Sequence, residues 1–215
     1  MHKIEIMIEN QEKLENGTML PIMEDFYTLQ GEGFYTGTAA YFLRIGGCDV
    51  GCSFCDVKEA WNAAIHPLVA VDEIIDKLQY LPTKTIVITG GEPCKYNLNY
   101  LCKRLKEIHF QTHLETSGSH HLSGQWNWIC FSPKKGVFLH DEFYAKANEL
   151  KVIIESTDDF LWAEENAKKV NKNCRLYLQP EWSKCKYTYQ GIVDYILAHP
   201  QWRISIQSHK YIHIP

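Results

Sequence analysis

Three of the eight cysteines in this 215-residue sequence are gathered in one short segment, at Cys48, Cys52 and Cys55. The same segment contains three glycines, Gly46, Gly47 and Gly51. Glycine lets the backbone turn tightly, so that three thiolates can converge on one small object. Iron–sulfur clusters that only carry electrons normally have four protein ligands, whereas three thiolates leave one iron open to a substrate or cosubstrate. The spacing therefore indicates a [4Fe-4S] cluster with an open coordination site.

The main alternative for the same cysteines is a structural zinc site in a non-catalytic adaptor. Such a site would need a fourth ligand, for example His66 or Cys94. Zinc sites more often consist of two CxxC-like pairs, and the sequence contains no second pair. Three unliganded core cysteines explain the segment less well still, because it is polar and rich in glycine. The residues thus favour the cluster and leave zinc as the alternative.

Composition and charge exclude several classes of protein. Lys and Arg number 22 against 26 Asp and Glu, and this formal net charge of −4 argues against a surface for duplex nucleic acid. The longest purely apolar run covers residues 39–43, far short of the ~20 residues that a membrane-spanning helix needs. Residues 1–17 lack the apolar segment of a secretion signal. We therefore expect a cytoplasmic protein with free thiols and with neither a membrane nor a nucleic-acid partner.

Apolar strand-like runs alternate with segments of helical periodicity along most of the chain. Strands are predicted at 39–45, 85–89, 112–115, 128–131, 150–154, 175–178 and 203–206. Helices are predicted at 71–81, 97–108, 158–170 and 187–198. Short β-branched strands between helices indicate a single α/β domain with a mainly parallel sheet, open or partly closed into a barrel. We expect this core to span residues 21–215, after an N-terminal extension over residues 1–20.

Polar or conformationally special residues follow nearly every predicted strand. They stand at 46–55, 90–93, 116–118, 132–134, 179–181 and 207–210. The carboxyl ends of parallel strands meet at one edge of a sheet, and the active sites of such folds lie at that edge. The pattern therefore predicts one active site that includes the cysteine segment.

Two motifs resemble those of the radical S-adenosylmethionine (radical SAM) superfamily. One is the cysteine segment itself, with Phe54 before the last cysteine. The other is Thr89-Gly90-Gly91-Glu92-Pro93, directly after a predicted strand, which resembles the GGE motif that binds the methionine amino group of SAM. A Gly-Gly turn alone is weak support, but the two motifs occur in the expected order within an α/β pattern.

Further matches narrow the resemblance to the 7-carboxy-7-deazaguanine synthase family. The segment from Phe26 to Gly33 resembles the motif SIQGEG of that family. The other matches are Arg44, Asp56 and Trp61, followed by 115–118, 132–134, 149–151, 178–180 and 207–211. Each motif is short, but their common order covers nearly the whole chain.

The resemblance implies a partial radical-SAM barrel and a carbon–nitrogen lyase. A reduced [4Fe-4S] cluster would donate one electron to SAM, and the resulting 5′-deoxyadenosyl radical would abstract a hydrogen from 6-carboxy-5,6,7,8-tetrahydropterin. Rearrangement with loss of ammonia would give 7-carboxy-7-deazaguanine, a precursor of queuosine. The resemblance also implies a homodimer and a one-electron donor such as flavodoxin. The protein would supply orientation and shielding.

The resemblance also implies roles for single residues. Contacts to the pterin would come from Leu29, Gln30, Gly31, Arg44, Thr89 and the carboxylate of Pro215. Contacts to SAM would come from Gly91, Glu92, Ser132, Pro133, Lys134, Gln179, Pro180, Glu181 and Trp182, with Phe54 and Asp56 beside the open iron. Glu115 and His209 would be catalytic polar contacts, and Glu115 could move protons during the rearrangement. Arginine suits a substrate carboxylate, because its guanidinium binds carboxylates through two parallel hydrogen bonds.

One position departs from the family pattern. The family commonly has Thr after the Cys-Asp pair, and the Thr hydroxyl ligates a magnesium ion that bridges to substrate. Val57 stands there in this sequence and has no side-chain oxygen, whereas magnesium requires oxygen ligands. Two alternatives stay open: substrate, water and other groups hold the ion, or the enzyme works without it.

A second radical SAM activity shares part of the pattern. An activase that makes a glycyl radical on a protein partner has a similar cysteine segment and a similar size. The segment around Gln30 and the C-terminal Pro215 favour the deazaguanine synthase instead.

Overall fold

The computed structural model describes the backbone of residues 2–215 and the side chains of residues 8–215. Within residues 2–215, nine strands form one sheet. The strands are β1 (Met19–Leu29), β2 (Ala39–Ile45), β3 (Leu68–Ala70), β4 (Thr85–Gly90), β5 (Gln111–Thr116), β6 (Trp128–Phe131), β7 (Glu149–Ile154), β8 (Arg175–Pro180) and β9 (Trp202–Ile204). The helices are α1 (His2–Glu15), α2 (Val71–Leu78), α3 (Asn99–Glu107), α4 (Asp141–Lys146), α5 (Asp159–Ala167), α6 (Cys185–Ala198) and α7 (Ser208–Ile212).

The sheet is mainly parallel and does not close. Its strand order is β3-β1-β2-β4-β5-β6-β7-β8-β9, and every neighbouring pair from β2 to β9 is parallel. β1 runs antiparallel to both β2 and β3. This topology confirms the predicted α/β partial barrel with mainly parallel strands. The carboxyl ends of the parallel strands consequently lie along one edge.

The alternation of side chains along each strand separates the two faces of the sheet. Along β7, Leu150, Val152 and Ile154 are buried in the core beneath the helices. Lys151 and Ile153 lie on the opposite, concave face. Fully burying a Leu or Ile side chain stabilises the fold by about 1.5–3 kcal/mol. The apolar set of each strand therefore fixes which residues point to the concave face.

The predicted elements are recovered with small shifts at their ends. The helix predicted at 71–81 ends at Leu78, with Val71, Ile74 and Ile75 on its buried face. The strand predicted at 203–206 ends at Ile204. Beyond it, Ser205 still donates its backbone N–H to the Leu178 carbonyl, while its hydroxyl donates to Gln179 and accepts from the Gly33 N–H.

The sequence analysis does not predict β1, although this strand lies between β3 and β2 and pairs with both. Its alternation is irregular, because Pro21 interrupts it and its register with β2 shifts between Ile22 and Glu24. The strand begins at Met19, inside the segment assigned to the N-terminal extension, so the boundary at residue 20 stays a prediction. Over residues 2–215, no helix has the length and apolar character needed to span a bilayer.

Candidate active site

A cavity of about 250 Å³ opens at the carboxyl edge of the parallel strands. Among the described residues, every predicted site residue except Pro133 lines this cavity. The cysteine segment, which is hydrogen-bonded to the Gly-Gly turn after β4, lines one part of it, and the segment after β1, which is hydrogen-bonded to the C-terminal residues, lines another. The fold therefore gathers residues that are spread from Leu29 to Pro215 into one site.

The three predicted cluster ligands line the same end of the cavity as free, half-buried thiols. Burial is the largest influence on Cys48 and Cys52 and raises the pKa of both thiols, while the nearby Lys134 ammonium partly offsets this at Cys52. The indole of Trp61 donates to Cys55 Sγ over 3.3 Å. Three thiols on one glycine-rich loop are a donor set that fits a [4Fe-4S] cluster with an open iron.

A mononuclear zinc site fits this end of the cavity less well. Within residues 2–215, no group of three or more His, Cys, Asp or Glu has the spacing that holds a single metal ion. The two candidate fourth ligands are both elsewhere: His66 Nε2 lies 2.9 Å from the Glu59 carbonyl, and neither His66 nor the buried Cys94 is among the cavity-lining residues of the described chain. Neither of the two fourth ligands named from the sequence therefore lines the cavity together with the three thiols.

The Gly-Gly turn packs directly on the cysteine loop. Gly91 N–H donates to the Ile45 carbonyl and Glu92 N–H to the Gly47 carbonyl, both over 2.9 Å. A Cβ on Gly91 would lie 2.3 Å from the Gly47 carbonyl oxygen, a distance that real side chains do not reach. Gly90 has a φ of +122°, which favours glycine. Both glycines are thus required for the contact between the two motifs.

Glu92 presents a fully oriented carboxylate at the junction of β4 and β5. Its side chain is only 1% exposed. Oε1 accepts from Thr116 Oγ1 over 2.6 Å and from Cys94 N over 3.0 Å, and Oε2 accepts from Ser117 N over 2.8 Å. A buried carboxylate with this number of donors has one fixed orientation. The Ser117 hydroxyl also donates to Oε2, so four donors hold this carboxylate beside the Gly-Gly turn.

Arg44 lies at the end of β2 with an incompletely paired guanidinium. Its Nε is 3.0 Å from Glu24 Oε1, yet the geometry is poor, and within residues 8–215 this buried Nε has no hydrogen-bond partner. The guanidinium also stacks 5.6 Å from the centre of the Phe26 ring. Arg44 also lines the cavity, and a guanidinium there fits a ligand carboxylate.

The segment after β1 is tied to the floor of the cavity by side-chain amides. Gln30 Nε2 donates to Glu115 Oε1 over 2.9 Å, and Gln30 Oε1 accepts from Glu32 N over 3.0 Å. A Cβ on Gly31 would collide with the His209 ring, so glycine allows the imidazole to pack on the backbone. Burial, the largest influence, lowers the pKa of His209, which favours the neutral imidazole. Leu29, Thr89 and Pro215 also line the cavity.

The predicted SAM contacts line the side formed by β6 and β8. Lys134 Nζ donates to the Ser132 hydroxyl over 2.6 Å and to its carbonyl over 2.8 Å. Gln179 Oε1 accepts from Ser205 Oγ. Glu181 caps the turn Trp182–Lys184 by accepting from Ser183 N and Lys184 N. Pro180 and Phe54 also face the cavity.

Asp56 and Val57 lie together on the cavity wall next to the cysteine loop. The Asp56 carboxylate pairs with Lys210 Nζ over 2.8 Å. At the position where the family commonly has Thr, the structure thus places an apolar side chain beside a carboxylate that already has a cation partner.

Several cavity residues were not given a role from the sequence: Glu32, Thr116, Ser117, Lys151 and Gln207. A signal existed for Lys151, because a lysine between Leu150 and Val152 interrupts an apolar strand. Thr116 and Ser117 act by donating hydrogen bonds to Glu92, which is 24 and 25 residues away in the chain. A contact between such distant residues cannot be predicted from a local sequence pattern.

Comparisons with known proteins agree with this geometry. Residues 43–127 match the family described as the radical SAM superfamily. The chain is 55% identical over 207 residues to a 7-carboxy-7-deazaguanine synthase of Flavobacterium psychrophilum, covering 96% of this chain and 98% of that protein. It is 47% identical over 192 residues to the enzyme of the same name from a Synechocystis species, covering 89% and 92%.

The fold is also similar to a solved structure, the crystal structure of QueE from Escherichia coli. The TM-score is 0.79 at 30% sequence identity, and the match covers 92% of this chain and 98% of that one. Similarity of sequence and of fold thus extends over almost the full length. The chain belongs to the 7-carboxy-7-deazaguanine synthase family of radical SAM enzymes.

Proposed function

We propose that this chain converts 6-carboxy-5,6,7,8-tetrahydropterin to 7-carboxy-7-deazaguanine with loss of ammonia, on the way to queuosine. The observation that carries the proposal is the single cavity in which the cysteine loop, the Gly-Gly turn and the segment around Gln30 meet. The family membership and the names of the relatives support the same reaction.

Cys48, Cys52 and Cys55 would hold a [4Fe-4S] cluster at the end of the cavity formed by the cysteine loop. A bound cluster together with SAM supplies the electron and the hydrogen-abstracting radical that start the reaction. The protein's task at this end is to hold SAM in one orientation. Glu92, fixed by Thr116 and Ser117, would bind the amino group of SAM.

The remaining predicted SAM contacts are part of this proposal. Ser132, Pro133 and Lys134 after β6 and Gln179, Pro180, Glu181 and Trp182 after β8 would surround the nucleoside and the methionine carboxylate. Phe54 and Asp56 would flank the open iron. Pro133 would act only through the conformation of its turn, since it does not line the cavity of the described chain.

The other end of the cavity would bind the pterin. Arg44 would bind the substrate carboxylate, because its guanidinium lines the cavity and this group binds carboxylates through two parallel hydrogen bonds. Leu29, Gln30 and Gly31 would contact the edge of the pterin, with Thr89 and the Pro215 carboxylate beside them. The ring has alternating donors and acceptors, which an amide and a turn backbone match.

Glu115 and His209 are the proposed proton-handling groups. Glu115 lies on the concave face, with one carboxylate oxygen bonded to Gln30. His209 packs on Gly31, and its lowered pKa leaves the imidazole neutral at pH 7, when it can accept a proton. Both groups face the proposed pterin end, which suits proton movement during the rearrangement and the departure of ammonia.

The proposal also includes a homodimer, a flavodoxin-like electron donor and a cytoplasmic location. Magnesium is part of it as well. Val57 offers no oxygen and Asp56 is paired with Lys210, so a magnesium ion would depend mainly on substrate and water for ligands. Omitting magnesium from the assay tests this point directly.

An anaerobic assay tests the proposed reaction. The cluster is reconstituted, dithionite, SAM and 6-carboxytetrahydropterin are added, and products are followed by mass spectrometry. Cys52→Ala is expected to abolish product formation. Cys185→Ala is the matched control, because Cys185 is also half-buried but begins α6 outside the cavity lining of the described chain.

The products distinguish the alternatives. Formation of 7-carboxy-7-deazaguanine by the wild type and by Cys185→Ala supports the proposal. Release of 5′-deoxyadenosine without deazaguanine would support a radical SAM enzyme but would show that the pterin is not its substrate. Such a result would favour an activase that acts on a protein partner.

A further inference from the structure

Lys151 is a cation enclosed on the concave face of the sheet. Its side chain is 6% exposed, and its neighbours Leu150 and Val152 belong to the core on the other face. Removing an ammonium ion from water costs several kcal/mol unless anions and hydrogen-bond acceptors surround it. The groups that stabilise the charged form of this lysine therefore identify the contacts that it makes in the site.

Two carboxylates share the Lys151 ammonium. Nζ donates to Glu32 Oε2 in a short contact and lies 3.6 Å from Glu115 Oε2. The other oxygen of each carboxylate is bonded to a glutamine amide: Glu32 Oε1 accepts from Gln207 over 2.8 Å, and Glu115 Oε1 accepts from Gln30 over 2.9 Å. Lys151 thus bridges the segment after β1 to the end of β5.

A third carboxylate, Glu149, is close to Lys151 but is hydrogen-bonded to other groups. Its Oε2 accepts from Phe34 N over 3.1 Å and lies 3.3 Å from Trp128 Nε1. Burial, the largest influence, raises the pKa of Glu149, which favours its neutral form. Glu32 and Glu115 are therefore the partners that Lys151 bridges.

Other titratable groups surround the bridge, and the charge balance includes them. They are Cys130 and Lys134 beside Lys151, and Asp56 and His209 beside Glu32. Burial is the largest influence on both members of the short contact and opposes their charged forms. At Glu32, Lys151 and hydrogen bonds from Gln207 and Gln179 outweigh burial and lower the pKa of the carboxyl. At Lys151, Cys130 and the carboxylates of Glu115, Glu32 and Glu149 outweigh burial and raise the pKa of the ammonium.

We propose that Lys151 is a positioning residue of the active site, which bridges Glu32 and Glu115 so that both carboxylates keep one orientation at the pterin end of the cavity. All three side chains line that cavity. Lys151 would act through Glu115 on proton transfer and through Glu32 on the segment that contains Gln30 and Gly31. The consequence for turnover rests on the proposed function, whereas the bridge itself can be measured without substrate.

The bridge is tested first in the cluster-loaded, oxidised protein without substrate. The pH titration of ¹³C-labelled glutamate carboxylates is followed by NMR, and Glu32→Gln assigns the Glu32 signal. In Lys151→Met, the Glu32 carboxylate is expected to titrate at a higher pH than in the wild type, and in Lys151→Arg close to the wild-type value. An unchanged Glu32 titration in Lys151→Met would overturn the proposal, whatever the substrate is.

Turnover is measured second, with Lys77→Met as control, since that variant removes an exposed lysine that pairs with Asp25, and neither residue lines the cavity of the described chain. Misplaced catalytic groups can cost about 100-fold in rate. We expect such a loss of kcat/KM for the pterin in Lys151→Met, partial recovery in Lys151→Arg, and an unchanged KM for SAM. An equal loss in the Met and Arg variants, or a matching rise in the KM for SAM, would contradict positioning by charge.

Failure of the two proposals is distinguishable. If the wild type makes no deazaguanine, the proposed reaction is wrong, while the glutamate titration still decides on the bridge. If Lys151→Met does not fold, Lys151→Gln and Lys151→Arg take its place. Recovery by Arg but not by Gln supports the bridge, and equal kcat/KM values in both overturn it.

Discussion

The backbone N–H of Glu92 donates a hydrogen bond to the Gly47 carbonyl over 2.9 Å, which joins the turn after β4 to the cysteine loop after β2. β2 and β4 are parallel neighbours, paired up to Ile45 and Gly90, so their carboxyl ends arrive side by side. The cysteine loop proposed to hold the cluster and the Gly-Gly turn proposed to hold the SAM amino group are consequently in direct contact.

The close approach of the two motifs predicts a strong effect of Gly91→Ala. A Cβ there would lie 2.3 Å from the Gly47 carbonyl oxygen, so either the turn or the cysteine loop must move. We expect loss of SAM binding and reduced iron incorporation after reconstitution, measured by equilibrium dialysis and iron analysis. Gly191→Ala is the matched control, because its Cβ meets nothing within 4 Å. Equal SAM affinity in both variants would contradict the prediction.

The hydroxyl of Thr116 is predicted to orient the Glu92 carboxylate. Thr116→Val removes the 2.6 Å hydrogen bond to Glu92 Oε1 and leaves the buried acceptor with only the Cys94 N–H. Such a loss costs about 1–3 kcal/mol, and we expect a rise of roughly tenfold in the KM for SAM at unchanged pterin KM. Thr83→Val is the control, since that buried hydroxyl donates to the Ala39 carbonyl away from the cavity. The same rise in both variants would count against a specific role.

Arg44 is predicted to bind the carboxylate of the pterin. Hydrogen bonds to charged groups contribute about 1.5–3 kcal/mol, so Arg44→Met should raise the pterin KM by about 10- to 100-fold. Steady-state kinetics with a tetrahydropterin that lacks the carboxylate provides the second arm of the test. The wild type and Arg44→Met should bind that analogue equally well. A penalty of the same size with both compounds would show that Arg44 acts on packing instead.

Burial of His113 predicts a loss of stability in mild acid. Burial lowers its pKa from 6.5 to about 4, and the ring packs 4.4 Å from that of Tyr35. Above pH 6.5 the imidazole is neutral in both the folded and the unfolded chain, so its contribution is fully present. Between pH 6.5 and pH 4 the unfolded chain binds the proton and the folded chain does not, which lowers the free energy of unfolding by up to about 3 kcal/mol.

His113→Phe should remove this part of the pH dependence. Thermal melts of the holoenzyme, followed by circular dichroism from pH 4 to pH 8, give the comparison. His121→Phe is the control, because its side chain is 84% exposed. If the melting temperatures of the wild type and of His113→Phe fall in parallel between pH 6.5 and pH 4, another group causes the acid sensitivity.

Local patterns in the sequence determined the class of fold and the principal parts of the site. The apolar alternation along β7 and the helical spacing in α2 each involve residues only a few positions apart. Both elements can therefore be predicted from the sequence alone. The same holds for Cys48, Cys52 and Cys55, whose ligand spacing is confined to one loop. The order of the short motifs then identified the family, since each motif is read from a few adjacent residues and their sequence along the chain needs no structure.

Only the tertiary structure decided which groups act on one another. Lys151 and Glu32 are 119 residues apart, and their contact exists because the segment after β1 folds over the concave face beside β7. Glu149, two residues from Lys151, turns to Phe34 and Trp128 instead, although the sequence places it equally well for an ion pair. β1 itself follows from its pairing with β2 and β3, because its own alternation is irregular. Residue spacing determines which face of a strand a side chain occupies, whereas the partner across the cavity depends on contacts between distant segments.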